Sequence, residues 1–493
     1  MVHQTLPEPN FAPPSRTKPP DQSGSAHPDA MSGLVWRNTA AIGCARIGSV
    51  ALDGVTYVLT ARYFGPAEYG HYLSLLAFLN LVDLAADLTL MDILVREMSR
   101  EPDRNGAWLT AGTILRVALA GLGLVAFALY LRLAGAGGGL SATAWIAALI
   151  LPAGALRMPL ALFRARMKMH YELGIVLAAR LANLLLFIIL MQVHGSMGQF
   201  FLAILASRIL LAVLGWGAAC TRFGIRLTLP GPRLRRLARE SIPMGLSGSF
   251  VALQLKADIL LLAPMAGAAA AGLYGAVAQL PEYSLYIPVV LSTPMLPVLS
   301  RLFAESARDR FQEYYGKMFH SIVAAVIPLA VVALAMPKAA VTLLFGPSYA
   351  EAAGVLPILA LAIVAMWISH ATAIAAVAAG LQANFIWIQS ICMAAYLLLD
   401  WLLIPYWGGT AAALVRLITT VIAPVLTGWV LWRRLHCVLE IGRFRSTAIA
   451  GAGMALTVIA CNGLPVLVAA AMGSLVYGAA LWAMSRSASL KAG

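Results

Sequence analysis

Apolar runs of about 20 residues recur along most of the chain, separated by short polar turns, and each run is long enough to cross a bilayer as a helix. They lie at 39–61, 70–94, 108–131, 142–163, 171–193, 198–220, 242–264, 272–299, 318–336, 353–379, 384–404, 409–432, 446–462 and 465–484. The pattern predicts an all-α polytopic membrane protein with about 14 transmembrane helices. The longest internal polar connections, 221–240 and 301–317, are too short for an independent domain, which takes more than about 50 residues. Residues 1–35 precede the first run and carry seven of their prolines between Pro7 and Pro28, a composition that predicts a disordered tail. It lacks the basic, apolar, small-residue order of a cleaved signal, so the first run is expected to stay as an anchor.

Composition agrees with this reading. The 493 residues are 61% hydrophobic and only 11% charged, whereas a soluble domain carries roughly 25% charged residues. The five cysteines, Cys44, Cys220, Cys392, Cys437 and Cys461, form no CxxC or Cys/His cluster and are expected to be small packing residues without metal or cofactor. Gly316–Met318 lacks the Ser/Thr and the upstream glycine of a phosphate-binding loop, so no ATP site is expected. The formal charge of +14 would suit nucleic acid, but its distribution points to membrane lipids instead. One set of alternate connections, with both tails, holds 25 of the 35 Lys and Arg residues, while the opposite set holds Arg62, Arg132 and Lys338. By the positive-inside rule the basic side is cytoplasmic, which places both termini there and makes the helix number even.

An internal repeat underlies the pattern. Gly65, Gly70 and Tyr72 after the first run match Gly267, Gly272 and Tyr274 after the seventh, both as Gly-x4-Gly-x-Tyr. In each copy the next run ends in a basic turn, at Leu94–Arg100 and at Val298–Phe303. Six helices separate the copies, so two six-helix bundles of equal orientation are expected, related by a pseudo-twofold axis along the membrane normal around a central cavity. The expected units are 36–220 for the first bundle, 221–240 for a basic cytoplasmic linker able to lie as an amphipathic helix on the leaflet, 241–435 for the second bundle and 436–493 for two additional helices and a tail.

The runs Ala61–Tyr72, Leu94–Glu97, Ser241–Leu280, Leu343–Leu361 and Leu402–Val415 resemble those of polysaccharide-biosynthesis oligosaccharide flippases, in the same order and spacing. The resemblance covers roughly residues 35–435 and implies membership of the multidrug, oligosaccharidyl-lipid and polysaccharide exporter superfamily. It implies translocation of a polyprenyl-diphosphate-linked oligosaccharide across the bacterial inner membrane by alternating access, for O-antigen, capsule or exopolysaccharide, alongside glycan polymerase and export machinery. The chain departs from the family at Met366, Trp367 and His370 in the tenth run, which bears on substrate more than on fold.

Charges inside the runs sharpen this expectation, because a charge at the bilayer centre must face a wet cavity or a partner. Arg46, Arg116, Arg157, Arg180 and Arg208 all belong to the first bundle. One reading has them line the cavity and bind the diphosphate through bidentate guanidinium contacts; the other has them pair with aspartates or reach an interface. Asp83 and Asp87 share a helix face and would hold a coupling H⁺ or Na⁺, or else answer Arg116 or Arg46. Asp53 lies two turns from Arg46. Asp258 would gate the cavity or pair locally, with Lys256 facing elsewhere, and Asp400 and Arg416 form a possible pair between the eleventh and twelfth runs. Four prolines between Pro281 and Pro297 mark the eighth run as one that bends, while His320 and His370, each a lone histidine among apolar residues, would either titrate with the coupling ion or simply pack.

Two other classes compete. A cation-coupled drug antiporter of the same superfamily would favour an acidic cavity, whereas the first bundle here is arginine-rich. A membrane glycan polymerase or transferase would need a sizeable outer loop, and the loops on the arginine-poor side run from a few to about 16 residues.

Overall fold

The computed structural model describes residues 28–87, 90–133, 138–435, 441–461 and 463–492, and within the first helix its side chains from Gly48 onward. Every described element is helical, as a chain buried in hydrocarbon requires: backbone N–H and C=O groups there have no water to bond and must satisfy one another within each segment. The α-helices are α1 (Pro28–Asp87), α2 (Leu90–Arg100), α3 (Asn105–Leu133), α4 (Gly138–Ala148), α5 (Ile150–Ala155), α6 (Pro159–Ala165), α7 (Met169–Gln192), α8 (Met197–Phe223) and α9 (Pro232–Ala266). They continue as α10 (Ala268–Ser284), α11 (Tyr286–Ser292), α12 (Met295–Ala304), α13 (Arg308–Ala335), α14 (Pro337–Phe345), α15 (Leu356–Ala378), α16 (Gln382–Leu435), α17 (Ile441–Ala460) and α18 (Val466–Ala492).

Among the described residues nine helical stretches are long and apolar enough to cross a membrane, or ten when one bent pair is taken as a single span. Two of them, Gly48–Arg100 and Trp387–Leu435, run 53 and 49 residues, more than twice what one crossing needs. Each is broken at a glycine: Gly65 stands at φ 70°, ψ 172° and Gly408 at φ 54°, ψ −131°, conformations that a Cβ would oppose. The bent pair is the proline-rich eighth run, where Ala268–Ser292 and Met295–Ala304 meet at 52° near Pro294.

Residues 45–493 form one compact unit. Its largest core gathers Ala61, Tyr69, Leu73 and Phe201 from the first half with Leu262, Tyr274, Tyr349, Ile404 and Ala411 from the second. This core sits at the arginine-poor end, where the two repeat glycines meet. A Cβ on Gly70 would fall 1.7 Å from the Ala268 carbonyl oxygen, and a Cβ on Gly272 would fall 1.8 Å from that of Pro66. The contact is reciprocal, and only glycine allows backbones so close. Around it, Tyr349 donates to the Ala61 carbonyl at 2.8 Å, Arg62 Nε to that of Leu344 at 2.6 Å, and Tyr57 to that of Gly275.

The basic segment before the seventh run departs from the expected surface helix. Residues 232–240 are the opening turns of α9 itself and dock on the first half. Arg236 pairs with Glu97 at 2.9 Å, Arg233 with Glu101 at 3.4 Å, and both guanidiniums lie over the Trp108 ring, 5.9 and 5.8 Å from its centroid. Glu97, with a side chain only 2% exposed, also accepts from Arg96 at 2.9 Å and Arg100 at 3.3 Å. The Arg96 and Arg236 guanidiniums beside Glu240 hold its carboxyl below the usual range.

Candidate functional site: two buried ionic centres

The first centre lies inside the first half. Asp83 and Asp87, one turn apart near the end of α1, face three arginines from three other elements. Arg116 of α3 donates to the Asp83 carbonyl at 2.8 Å and to its carboxylate. Arg208 of α8 donates to the second Asp83 oxygen at 2.9 Å and to the Ile150 carbonyl at 3.4 Å. Arg157 sits in the interruption between α5 and α6, pairs with Asp87 and stands 4.0 Å from Asp83. Gly154 makes room for the group, since a Cβ there would come within 2.7 Å of Asp83 Oδ1 and 2.9 Å of Arg208 Nη1.

Three guanidiniums thus meet two carboxylates, and the centre holds one positive charge in excess. Its pairing is incomplete: Arg116 Nε, Arg157 Nε and Asp87 Oδ1 are buried without a hydrogen-bond partner, and Arg116 Nε stands 4.0 Å from Asp87 Oδ1. Arg116 is sealed in, but the Arg157 and Arg208 side chains keep 29% and 23% of their surface exposed. Arg180 of α7 pairs with Asp53 of α1 and lies in electrostatic reach of Arg208 on its own side and of Tyr283 and Tyr286 from the second half. Arg180 therefore faces the space between the halves.

The second centre occupies the second half. Asp258 of α9 is wholly buried and accepts from Arg416 of α16 at 2.6 Å, from the Tyr274 hydroxyl at 2.5 Å and from the Ile259 amide at 2.9 Å. Arg416 also donates to the Ala278 carbonyl at 3.0 Å. Asp400 is equally buried, yet neither of its oxygens has a hydrogen-bond partner, nor has the nearby Tyr396 hydroxyl. Asp258 and Arg416 are in electrostatic reach of Asp400. Here two carboxylates share one guanidinium, so the sign of the excess is reversed. Lys256 turns the other way, as its spacing predicts, and binds Glu282 at 3.0 Å beside Gln279.

The structure therefore brings Asp83, Asp87, Arg116, Arg157 and Arg208 together, sets Arg180 and Asp53 apart as a more open pair, and leaves the Arg46 side chain outside the described residues. The possible Arg416–Asp400 pair gives way to Arg416–Asp258, because Asp258 reaches Arg416 from α9 while Asp400 lies beside the Tyr396 hydroxyl. Asp83 and Asp87 answer Arg116, one of the two partners considered for them. His370 and His320 contact neutral hydroxyls, Ser292 and Thr447, each at 2.9 Å. Sequence reasoning missed Glu97, Gly154 and the role of Tyr274. Only Tyr274 left a signal, as the tyrosine of the repeat.

A helical membrane protein with reciprocal glycine contacts and charges buried inside each half is a transporter-like architecture, and comparison places it in a family. The profile of the family described as "Polysaccharide biosynthesis protein" matches residues 59–354, more than half of the chain, and the chain belongs to that family. Among solved structures it is similar to the lipid II flippase MurJ in an inward closed conformation, at 13% identity and TM-score 0.73, over 90% of this chain and 98% of the other. It is also similar to an inward-facing multidrug resistance MATE transporter of the MOP superfamily, at 14% identity and TM-score 0.62, over 80% and 98% of the two chains. A MOP superfamily transporter from Pyrococcus furiosus, described as having a binding pocket of reverse polarity, matches at 14% identity and TM-score 0.56, over 80% and 94%. These similarities define the fold. No curated protein matches the sequence.

Proposed function

We propose that the protein is a flippase that carries a polyprenyl-diphosphate-linked oligosaccharide from the cytoplasmic to the outer leaflet of a bacterial inner membrane for surface polysaccharide synthesis, making and breaking no covalent bond. The observation that carries this reading is the excess positive charge of the Asp83–Asp87–Arg116–Arg157–Arg208 centre. A diphosphate is the ligand whose charge and planar oxygen edges suit half-satisfied guanidiniums. Arg157 and Arg208, with exposed edges, would take the phosphates, with Arg180 beside them towards the space between the halves. Arg116 positions the two aspartates.

In this reading the two halves are six-helix bundles of a fourteen-span chain, with both termini cytoplasmic. The glycine seam would close the outer end, and export would require it to part. The lipid enters sideways, the sugars occupy the space between the bundles, and the prenyl chain stays in hydrocarbon. Direction requires a difference in affinity between two states for the substrate or for a coupling ion. Asp53, Asp83, Asp87 and Asp258 already hold guanidiniums, so H⁺ or Na⁺ would have to share them; at Asp400 a proton would remove an uncompensated buried charge. Asp400 is accordingly the preferred coupling group.

The test is a deletion strain, complemented with wild type or with Arg157→Gln/Arg208→Gln, followed by mass spectrometry of its polyprenyl-diphosphate lipids. The deletion and the variant should both accumulate the complete oligosaccharide on its lipid and lose surface polymer, with the variant inserted at normal levels. An unchanged lipid pool together with altered drug susceptibility would replace this reading with a drug antiporter.

A further inference from the structure

A second site lies in the second half, lined by none of the residues of its ionic centre. A cavity of about 750 Å³ opens between α13, α15 and α16, with Phe319, Leu361, Ile368, Val421, Val425 and Trp432 among its walls, a volume in the range of small-molecule sites. Its walls offer almost nothing polar. The Thr372 hydroxyl is already bonded to the Ser369 carbonyl at 2.9 Å, and the Tyr315 ring packs edge-on against Phe319. A polar ligand would find no partner here, so the occupant is hydrocarbon.

Its concavity is built by the α16 sequence. Gly428 contributes no side chain, and a Cβ placed there meets nothing within 4 Å. The open flank belongs to helices that are apolar and exposed, Leu361, Val421, Val425 and Trp432 all being solvent-accessible in the isolated chain, so in a bilayer it faces lipid. At the basic end the cavity stops at Trp432, directly followed by exposed Arg433 and Arg434. Phe319 in its wall touches the Phe444 ring of α17, 5.7 Å between centroids, and the next residue, Arg445, is exposed. An indole at the interface with three arginines beyond it is the arrangement that receives an anionic headgroup.

We infer that this groove is a binding site for one anionic glycerophospholipid of the cytoplasmic leaflet, an acyl chain lying along α16 past Gly428 and the phosphate resting on Arg433, Arg434 and Arg445. The site is separate from the arginine centre of the first half, and lipid bound here is a resident of the protein and not its cargo.

The experiment is native mass spectrometry of the full chain released from nanodiscs of equal parts phosphatidylglycerol and phosphatidylethanolamine. Wild type should retain one phosphatidylglycerol in preference to phosphatidylethanolamine. Gly428→Trp, whose Cβ enters open space, should lose the retained lipid while keeping the wild-type melting temperature in detergent. Arg433→Gln/Arg434→Gln/Arg445→Gln should keep a lipid but lose the preference, by about fivefold for each arginine removed. Retention unchanged by Gly428→Trp, or equal retention of the two phospholipids by wild type, would overturn the inference. So would a polyprenyl-diphosphate lipid displacing phosphatidylglycerol from wild type but not from Gly428→Trp.

Discussion

The two halves bury ionic centres of opposite balance. In the first, Asp83 and Asp87 are outnumbered by Arg116, Arg157 and Arg208; in the second, Asp258 and Asp400 share Arg416. The same helical scaffold thus holds an excess of basic groups on one side and of acidic groups on the other. A buried charge persists only when paired or when it has a ligand to meet. In the proposed reading the imbalance would separate the two tasks of a coupled carrier, the first centre suiting an anion and the second a cation, neither compensating the other directly.

The sharpest way to break this comparison is to remove one carboxylate from each centre. Asp83→Ala leaves three guanidiniums against Asp87 and should cost about 3–5 kcal/mol of stability, the usual penalty for stranding buried charge. Asp258→Ala leaves Arg416 with Asp400 as a waiting partner and should cost visibly less. Thermal unfolding of both variants in one detergent checks this, and equal losses would show that the centres do not differ in balance.

A smaller effect on stability, with a large one on transport, is expected at Asp400. Asp400→Asn removes the unpartnered charge, so the melting temperature should stay level or rise. Export of the surface polymer should become insensitive to collapse of the proton gradient, or fail. Wild-type response to that collapse in the Asn variant would take the coupling role away from Asp400.

The smallest effect concerns the docked start of α9. Glu240 is held below its ordinary value of 4.5 by Arg96 and Arg236, so its contribution is present above that value and fades as pH falls through the lowered one. As an exposed pair it should be worth less than about 1 kcal/mol. Glu240→Gln should therefore shift the unfolding midpoint slightly at pH 7 and progressively less as the pH is taken below 4.5, whereas either buried centre should register throughout.

Much of the fold was legible in the sequence because the bilayer imposes a length on every crossing, and hydropathy records that length directly. The two Gly-x4-Gly-x-Tyr copies were legible too. That Gly70 and Gly272 touch each other was not, since similarity along a chain says nothing about which copies face. The charged residues show the same limit. Spacing separated Lys256 from Asp258, which share one helix, but it could not choose Asp258 over Asp400 as the partner of Arg416, because that choice depends on which helices adjoin. Arg157 was visible as an intramembrane arginine, whereas its place in the break between α5 and α6 depends on backbone that hydropathy reads as continuous.

The bare backbone contact at Gly70 and Gly272 has an electrical consequence. Membranes that store energy as an ion gradient must stay sealed, and any membrane protein whose helices part is a standing risk of short circuit. Where two main chains approach closer than a single methyl group would allow, no file of water fits between them and protons have no wire to follow. At the glycines themselves no side chain interlocks, so this part of the seal closes and parts as bare backbone, and insulation comes from the same two missing carbons.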